Sequence, residues 1–294
     1  MSPTTIPGNL ILQSPTASKL ILVNDQRNPA GDAQITYGIT STGGVFNLRS
    51  TGTVDYEVEW GDGTVERSTS NTLAHTYAAG SYVLKIRTAQ QYVPYFNNST
   101  DEDQITSVAL VSDLDVGSII ANAWFGANNM TDFNAAFGVT TNVTDFNSTW
   151  YRCGNLTSFP LIDTSSGTNF NNTWYDCRSL TSFPLIDTSS ANTFSYTWFF
   201  CTGLTNFPSN FFDSWTGTPS NNCFVEAWGS CFSLTSTSVE NILNSIDTSG
   251  QSAPASGPDI TIDYNAASGT PNISTAVTNL KSRNWTITLN GVLQ

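Results

Sequence analysis

The architecture of this chain is indicated by one stretch of sequence, Phe170-Asn-Asn-Thr-Trp174-Tyr-Asp-Cys177-Arg-Ser-Leu180-Thr-Ser-Phe183-Pro-Leu185. The chain just before this stretch carries nearly the same pattern. That preceding copy reads Phe146-Asn-Ser-Thr-Trp150-Tyr-Arg-Cys153-Gly-Asn-Leu156-Thr-Ser-Phe159-Pro-Leu161. A pattern that returns at a nearly fixed interval predicts a stack of similar structural units.

The same pattern extends in both directions to about five copies. Each copy contains one tryptophan: Trp124, Trp150, Trp174, Trp198 and Trp228. Four residues before each tryptophan lies an apolar residue: Ile120, Phe146, Phe170, Phe194 and Phe224. Three residues after it lies a small or sulfur-containing residue: Ala127, Cys153, Cys177, Cys201 and Cys231. A single copy cannot bury these side chains, so we expect stacked copies to bury them together.

The spacing within one copy predicts its local structure. Phe170, Trp174 and Cys177 have the i, i+4, i+7 spacing of one face of a short helix. Leu180, Phe183 and Leu185 have the L-x-x-L-x-L spacing of a short strand that points its apolar residues into the stack. We therefore predict a solenoid whose units each contain a short helix and a strand.

The chain before the repeats shows the alternation of β-strands. Val54, Tyr56, Val58 and Trp60 alternate with polar residues, and Gly61-Asp62-Gly63 then predicts a hairpin. Further strands are predicted over five segments: Lys19–Val23, Ala33–Tyr37, Val45–Leu48, Thr72–Tyr77 and Ser81–Ile86. This part of the chain is predicted to be a small β-domain.

Three motifs of this β-region resemble the PKD domain: Trp60-Gly-Asp-Gly-Thr64, His75-Thr-Tyr77 and Gly80-x-Tyr82-x-Leu84-x-Ile86. The resemblance implies an immunoglobulin-like β-sandwich over residues 18–97, used as a spacer or adhesive module, and it implies no activity. It also implies that His75, the only histidine, packs near the Trp-Gly-Asp-Gly turn in a structural role. The acidic run Asp101–Asp103 is expected to be a solvated linker.

The repeats resemble the BspA-like leucine-rich repeats, in which an aromatic residue and an Asn-Cys or Gly-Cys element precede Leu-Thr-x-Phe. This resemblance implies a leucine-rich-repeat-type solenoid over residues 98–294. Its C-terminal part, from about residue 250, resembles a strand–helix–strand cap. The predicted fold is therefore mainly β with short helices, an immunoglobulin-like β-sandwich plus a solenoid, preceded by an arm over residues 1–17.

Composition excludes several classes of partner. Acidic residues outnumber basic ones 23 to 10, for a net charge of −13, and this disfavours nucleic acid and anionic membranes as partners. No segment approaches the roughly 18 apolar residues of a membrane span. The start of the chain lacks the basic and apolar regions of a leader peptide, so we expect synthesis in a host cytoplasm.

Sequence motifs give no support for catalysis or for a cofactor. A nucleophile elbow, a phosphate-binding loop and a Cys/His zinc pattern are absent. Four of the five cysteines fall at one repeat position, which predicts a column of buried thiols rather than disulfides. We expect a non-enzymatic protein with no metal site and no cofactor.

Candidate binding residues come from the predicted outward positions. In the strands these are Ser158, Pro160, Ile162, Ser182, Pro184, Ile186, Asn206 and Pro208. A second stripe follows the core tryptophans: Tyr151, Tyr175 and Phe199. Exposed apolar stripes mark contact surfaces, whereas aromatic ladders either bind sugar rings or complete the core edge. In the arm, Leu10, Ile11 and Leu12 are expected to dock on a larger assembly.

Two functions are consistent with these features. PKD-like and BspA-like modules occur together in structural proteins of tailed phages and in bacterial surface proteins. The first expectation is a virion surface protein, either a capsid decoration, a head fibre or a tail adhesin. Its partners would be other virion proteins, a host-surface glycan or protein, or a second copy of the chain. The alternative is a bacterial adhesin that binds glycans or host protein through the concave face of the repeats.

Overall fold

The computed structural model describes residues 34–52, 54–88, 90–96, 101–111, 114–255 and 259–294. The described chain is mainly β with short helices, so the predicted fold class is confirmed at this level. The arm residues Leu10, Ile11 and Leu12 and the predicted strand Lys19–Val23 lie outside the described residues.

One sheet contains the strands of the first part of the chain and two that follow it. The strands are β1 (Ile35–Thr51), β2 (Tyr56–Glu59), β3 (Val65–Ser68), β4 (Thr72–Thr88), β5 (Val93–Pro94), β6 (Ile105–Leu110) and β7 (Asp132–Ala135). Their order is β3-β2-β4-β1-β6-β7, with β5 also paired to β1. Among the described residues these strands form a single sheet, and the second layer of a sandwich is not seen there.

Two long strands replace four predicted short ones. The segments expected over Ala33–Tyr37 and Val45–Leu48 are both part of β1, and β4 likewise runs through Gly80. Gly43 has φ of 98°, yet the register is the same on both sides of it, with Thr42 opposite Ala79 and Gly44 opposite Tyr77. Glycine adopts such a φ without strain, so the strand continues through Gly43 and Gly44 and these glycines do not form a turn.

The sheet continues across the predicted domain boundary. Strand β6 pairs with β1, and β7 pairs in parallel with β6. The Asp101 carboxylate accepts hydrogen bonds from the backbone and side-chain nitrogens of Asn47 and from Arg49. Asp101 and Glu102 are both buried, so the expectation of a solvated linker is wrong for these two residues, while Asp103 is exposed.

Each repeat is bound to the next by alternate backbone groups. The N–H groups of Phe170, Asn172, Trp174 and Asp176 donate to the carbonyl oxygens of Thr193, Ser195, Thr197 and Phe199, at 2.7–3.1 Å. The N–H groups of Thr173 and Tyr175, which lie between them, donate within their own repeat to carbonyls three residues earlier. The predicted helix is wrong, because Asn172 and Asp176 have φ of 54° and 62° and so interrupt helical geometry.

Aromatic residues at equivalent positions stack into columns that form the core. Successive repeat tryptophans lie 5.2–6.0 Å apart between ring centroids, in near-parallel planes. Phe146, Phe170, Phe194 and Phe224 form a second column. All five tryptophans are fully buried, so the prediction that repeats bury their aromatic residues together is confirmed.

The end of the chain packs on the last repeat. It contains α1 (Ser236–Ser249), β8 (Asp259–Ile262), α2 (Ser274–Ser282), β9 (Thr286–Leu289) and β10 (Val292–Leu293). Strand β8 pairs in parallel with β9, which confirms the predicted strand–helix–strand order. Trp228 donates to the carbonyl of Thr261 at 3.3 Å, which joins the last repeat to β8. No helix in the described ranges is both long and apolar enough to cross a bilayer.

Candidate functional site

Four stacked rings on the outside of the repeats form a surface that we call the aromatic ridge: Phe125, Tyr151, Tyr175 and Phe199. Successive ring centroids are 4.4, 4.5 and 5.2 Å apart, with interplanar angles of 6°, 13° and 26°. Each residue follows a core tryptophan, so its side chain points away from the core, and each is half-buried. The structure therefore brings together the predicted stripe of Tyr151, Tyr175 and Phe199 and adds Phe125.

The stacking decides which part of each ring is available to a ligand. Both faces of Tyr151 and Tyr175 are covered by neighbouring rings, so the two tyrosines present ring edges to solvent. A sugar that stacks on an aromatic residue needs a free ring face, because the π-electron density lies there. The two inner rings of the ridge are therefore unsuited to sugar stacking.

The ridge ends at Gly229, which occupies the position after Trp228. A Cβ atom at this position would lie 2.8 Å from the ring of Phe199 and 2.1 Å from Glu226 Oε2. The glycine lets the backbone of the fifth repeat close over Phe199, so the aromatic ridge does not continue beyond it.

Two arginines flank the aromatic ridge. Arg178 donates to both carboxylate oxygens of Asp176, at 2.5 and 2.9 Å, and the Arg152 guanidinium lies 5.4 Å from the ring centroid of Tyr151. Burial, together with the neighbouring Tyr151, raises the pKa of Tyr175. Arg152 Nε also lies 3.9 Å from an Asp176 oxygen, so the two arginines share this carboxylate.

Leu161 and Leu185, here called the leucine pair, replace two of the predicted contact residues. They are 53% and 52% exposed, whereas Ile162 and Ile186 are 1% and 2% exposed. The prediction that these two isoleucines face outward is therefore wrong. In the second case the Ile186 N–H donates to the carbonyl of Pro184 at 3.1 Å, and this tight turn breaks the strand alternation.

The other predicted strand residues remain near the surface. Ser158, Ser182 and Asn206 are exposed, and Pro160, Pro184 and Pro208 are half-buried. Ser182 and Asn206 form a parallel bridge, so equivalent residues of these two repeats are adjacent. Together with the leucine pair they make a mixed polar and apolar surface.

The single histidine packs as the sequence predicted. The His75 ring stacks on Trp60, 4.5 Å away at 11°, and its Nε2 lies 2.8 Å from an Asp62 oxygen. The backbone N–H of Thr64 and then His75 lower the pKa of Asp62 to about 2. Within the described ranges, no group of three or more His, Cys, Asp or Glu residues is arranged to hold a metal ion.

Comparison with protein-family models, with curated proteins and with solved structures finds no match to this chain. Its function is therefore inferred from its geometry and its sequence motifs.

Sequence reasoning overlooked three features of this surface. Phe125 stands at the same position as Tyr151, immediately after a repeat tryptophan, and that position identifies it. A proline precedes each member of the leucine pair, and a proline within a strand pattern indicates that the strand is interrupted there. The exposed Tyr196 and Phe200 lie two residues before and after Trp198, a position whose backbone the sequence did not reveal.

Proposed function

We propose that this chain is a non-enzymatic contact protein of a virion surface. In this proposal a PKD-like, immunoglobulin-like unit is joined to a leucine-rich-repeat-type solenoid. The stacked aromatic columns and the hydrogen bonds between successive repeats support the solenoid, because they join equivalent positions of neighbouring copies. The motifs around Trp60 and His75 support the PKD-like unit.

The observation that carries the proposal is that exposed apolar residues occupy equivalent positions on successive, densely packed repeats. The leucine pair stands on adjacent repeats, and the aromatic ridge spans four of them. Contiguous exposed apolar surface is a mark of protein contact sites. We assign the leucine pair and its neighbouring serines and prolines to contact with other virion proteins or with a second copy of the chain.

Quantitative mass spectrometry of purified virions from the source tests the proposal. The protein should copurify with particles at a fixed ratio to the major capsid protein. Deleting residues 1–17 should abolish that incorporation and leave the thermal unfolding midpoint unchanged, because in this proposal the arm contacts the larger assembly. Absence from particles, or normal incorporation of the truncated chain, would contradict the corresponding part of the proposal.

The second candidate is a bacterial surface adhesin that binds glycans or host protein. The exposed aromatic residues of the repeats favour it, because tyrosine and phenylalanine are common in adhesive contacts. Fractionation of the source separates the two candidates. An adhesin should be found on intact cells in the absence of phage particles, and a virion protein should sediment with the particles.

A further inference from the structure

The backbone is left-handed at two positions in every repeat, two residues before and two residues after the tryptophan. The residues before it are Asn122, Ser148, Asn172, Tyr196 and Glu226, with φ between 52° and 61°. The residues after it are Gly126, Arg152, Asp176, Phe200 and Ser230, with φ between 60° and 81°. The alternating hydrogen bonds between repeats require this geometry, so each repeat must place some residue there.

Only the repeat around Trp198 places a bulky aromatic residue at both positions. Tyr196 has φ of 55° and Phe200 has φ of 62°. Left-handed backbone favours glycine and asparagine and is strained for a large side chain. Strained residues of this kind cluster at binding sites, where the function of the side chain outweighs the strain.

The two strained rings are exposed and are oriented differently from those of the aromatic ridge. Tyr196 and Phe200 are 36% and 40% exposed. Their rings meet Phe199 edge to face, at 5.5 Å and 68° for Tyr196 and at 4.7 Å and 79° for Phe200. Neither ring is stacked face to face on another ring in the described part of the chain, and the ridge ring Tyr175 approaches Phe200 only at 6.5 Å and 53°.

We propose that Tyr196 and Phe200 form a saccharide-binding site, with Phe199 supporting the two rings from between them. The inference deepens the proposed function, since it names the chemical class of a host-surface partner. A sugar ring offers an apolar C–H face, which packs on an aromatic ring, and a rim of hydroxyl groups, which need hydrogen-bond donors and acceptors close to that ring.

Polar residues of the adjacent repeats supply such a rim. Backbone hydrogen bonds place Asn172 and Asp176 beside this repeat on one side, through Ser195 and Phe199. On the other side Tyr196 donates to Val225 and Phe200 donates to Gly229, which brings Glu226 and Ser230 alongside. The set thus contains the Glu226 carboxylate, the Asn172 amide and the Ser230 hydroxyl. The Asp176 carboxylate is itself buried, but it holds the exposed Arg178, which adds donors.

The size of the patch favours a sugar over a protein. Three rings on one repeat, bordered closely by charged and polar groups, fall well short of the roughly 800 Å² per partner in a stable protein interface. A patch of this size and polarity matches one or two sugar residues.

The test compares the wild-type chain with the double variant Tyr196→Asn, Phe200→Asn. The probes are an array of bacterial and animal oligosaccharides, and native gels that contain mannan, laminarin or alginate. We expect binding on the array or retarded migration for the wild type, and at least a tenfold loss for the variant. Because asparagine tolerates left-handed backbone, the variant should keep or raise the thermal unfolding midpoint. Phe137→Asn, at an exposed residue on another repeat, is the matched control and should bind as the wild type does.

Three results would overturn the inference. One is a wild-type chain that binds nothing on the array and migrates normally in all three gels. Another is a double variant that binds within twofold of the wild type. The third is a lowered unfolding midpoint in both the double variant and the single variant Phe200→Gly, which would mean that the rings are structural. Copurification with virions is a separate measurement, so failure of this inference is distinguishable from failure of the proposed function.

Discussion

The thiol of Cys177 donates a hydrogen bond to the backbone carbonyl oxygen of Trp150, which lies 3.2 Å away in the preceding repeat. The same contact recurs for Cys153, Cys201 and Cys231, each with the tryptophan of the repeat before it, at 3.0–3.4 Å. All are unpaired and buried, so the predicted column of thiols is confirmed. Cys223, outside that column, is buried as well.

This column predicts thiols that do not react in the folded protein. Burial raises the pKa of Cys201 to about 12 and raises that of the other four cysteines, while the thiolate is the reactive form. At pH 8, iodoacetamide should label none of the five cysteines in the time that labels all five in guanidinium. Peptide mass spectrometry gives the sites, and rapid native labelling of any column cysteine would contradict the stacking.

From the lowered pKa of Asp62 we expect the stability of the protein to decrease at acidic pH. The native pKa of Asp62, about 2, is below the ordinary value of about 3.9, so the native state binds this proton more weakly than the unfolded state does. The stabilisation is complete above about pH 4 and is lost as the pH falls through 2. Asp62→Asn should therefore lower the unfolding midpoint at pH 6 and differ little from the wild type at pH 2. Asp103→Asn, at an exposed carboxylate, serves as the control. An equal deficit at both pH values would show that the charge of Asp62 is not responsible.

The core could be predicted from the sequence, because equivalent residues of stacked repeats meet one another. The spacing of Trp150, Trp174 and Trp198 alone indicated which side chains stack. The local backbone could not be predicted in this way. Phe170, Trp174 and Cys177 share a side both in a helix and in the observed turns, and the left-handed Asn172 and Asp176 decide between the two.

The candidate surface was predicted less well than the core. The ridge tyrosines follow directly from the position after each tryptophan. After Phe183, Pro184 decides which side chains face outward. Proline has no backbone N–H to donate to a neighbouring strand, and its carbonyl accepts the hydrogen bond of a tight turn from the Ile186 N–H. This turn places Leu185 outward and Ile186 inward. The alternation of apolar and polar residues in a strand does not predict such a turn.

The Asp101 carboxylate should hold the first sheet and the connection to the repeats together. It is buried and satisfies Asn47 and Arg49 of β1. Asp101→Ala leaves those donors without a partner, which we expect to destabilise the protein by about 1–3 kcal/mol. Asp103→Ala removes an exposed carboxylate two residues away and should change the free energy of unfolding by less than about 0.5 kcal/mol. Urea denaturation measures both, and equal effects would contradict a structural role for Asp101.

Two pairs of lysine substitutions distinguish the residues that stabilise the fold from those that form the contact surface. Ile162→Lys with Ile186→Lys places two charges in the core, where each costs several kcal/mol, so this variant should not fold at 25 °C. Leu161→Lys with Leu185→Lys places the same charges on exposed positions one residue away. That variant should keep a wild-type circular dichroism spectrum and nearly the same unfolding midpoint. The amount of this variant that is incorporated into particles should fall at least tenfold, because the introduced ammonium groups would be buried against an apolar partner. Full incorporation of the leucine variant would remove the leucine pair from the contact surface, and a folded isoleucine variant would show that the strand faces the other way.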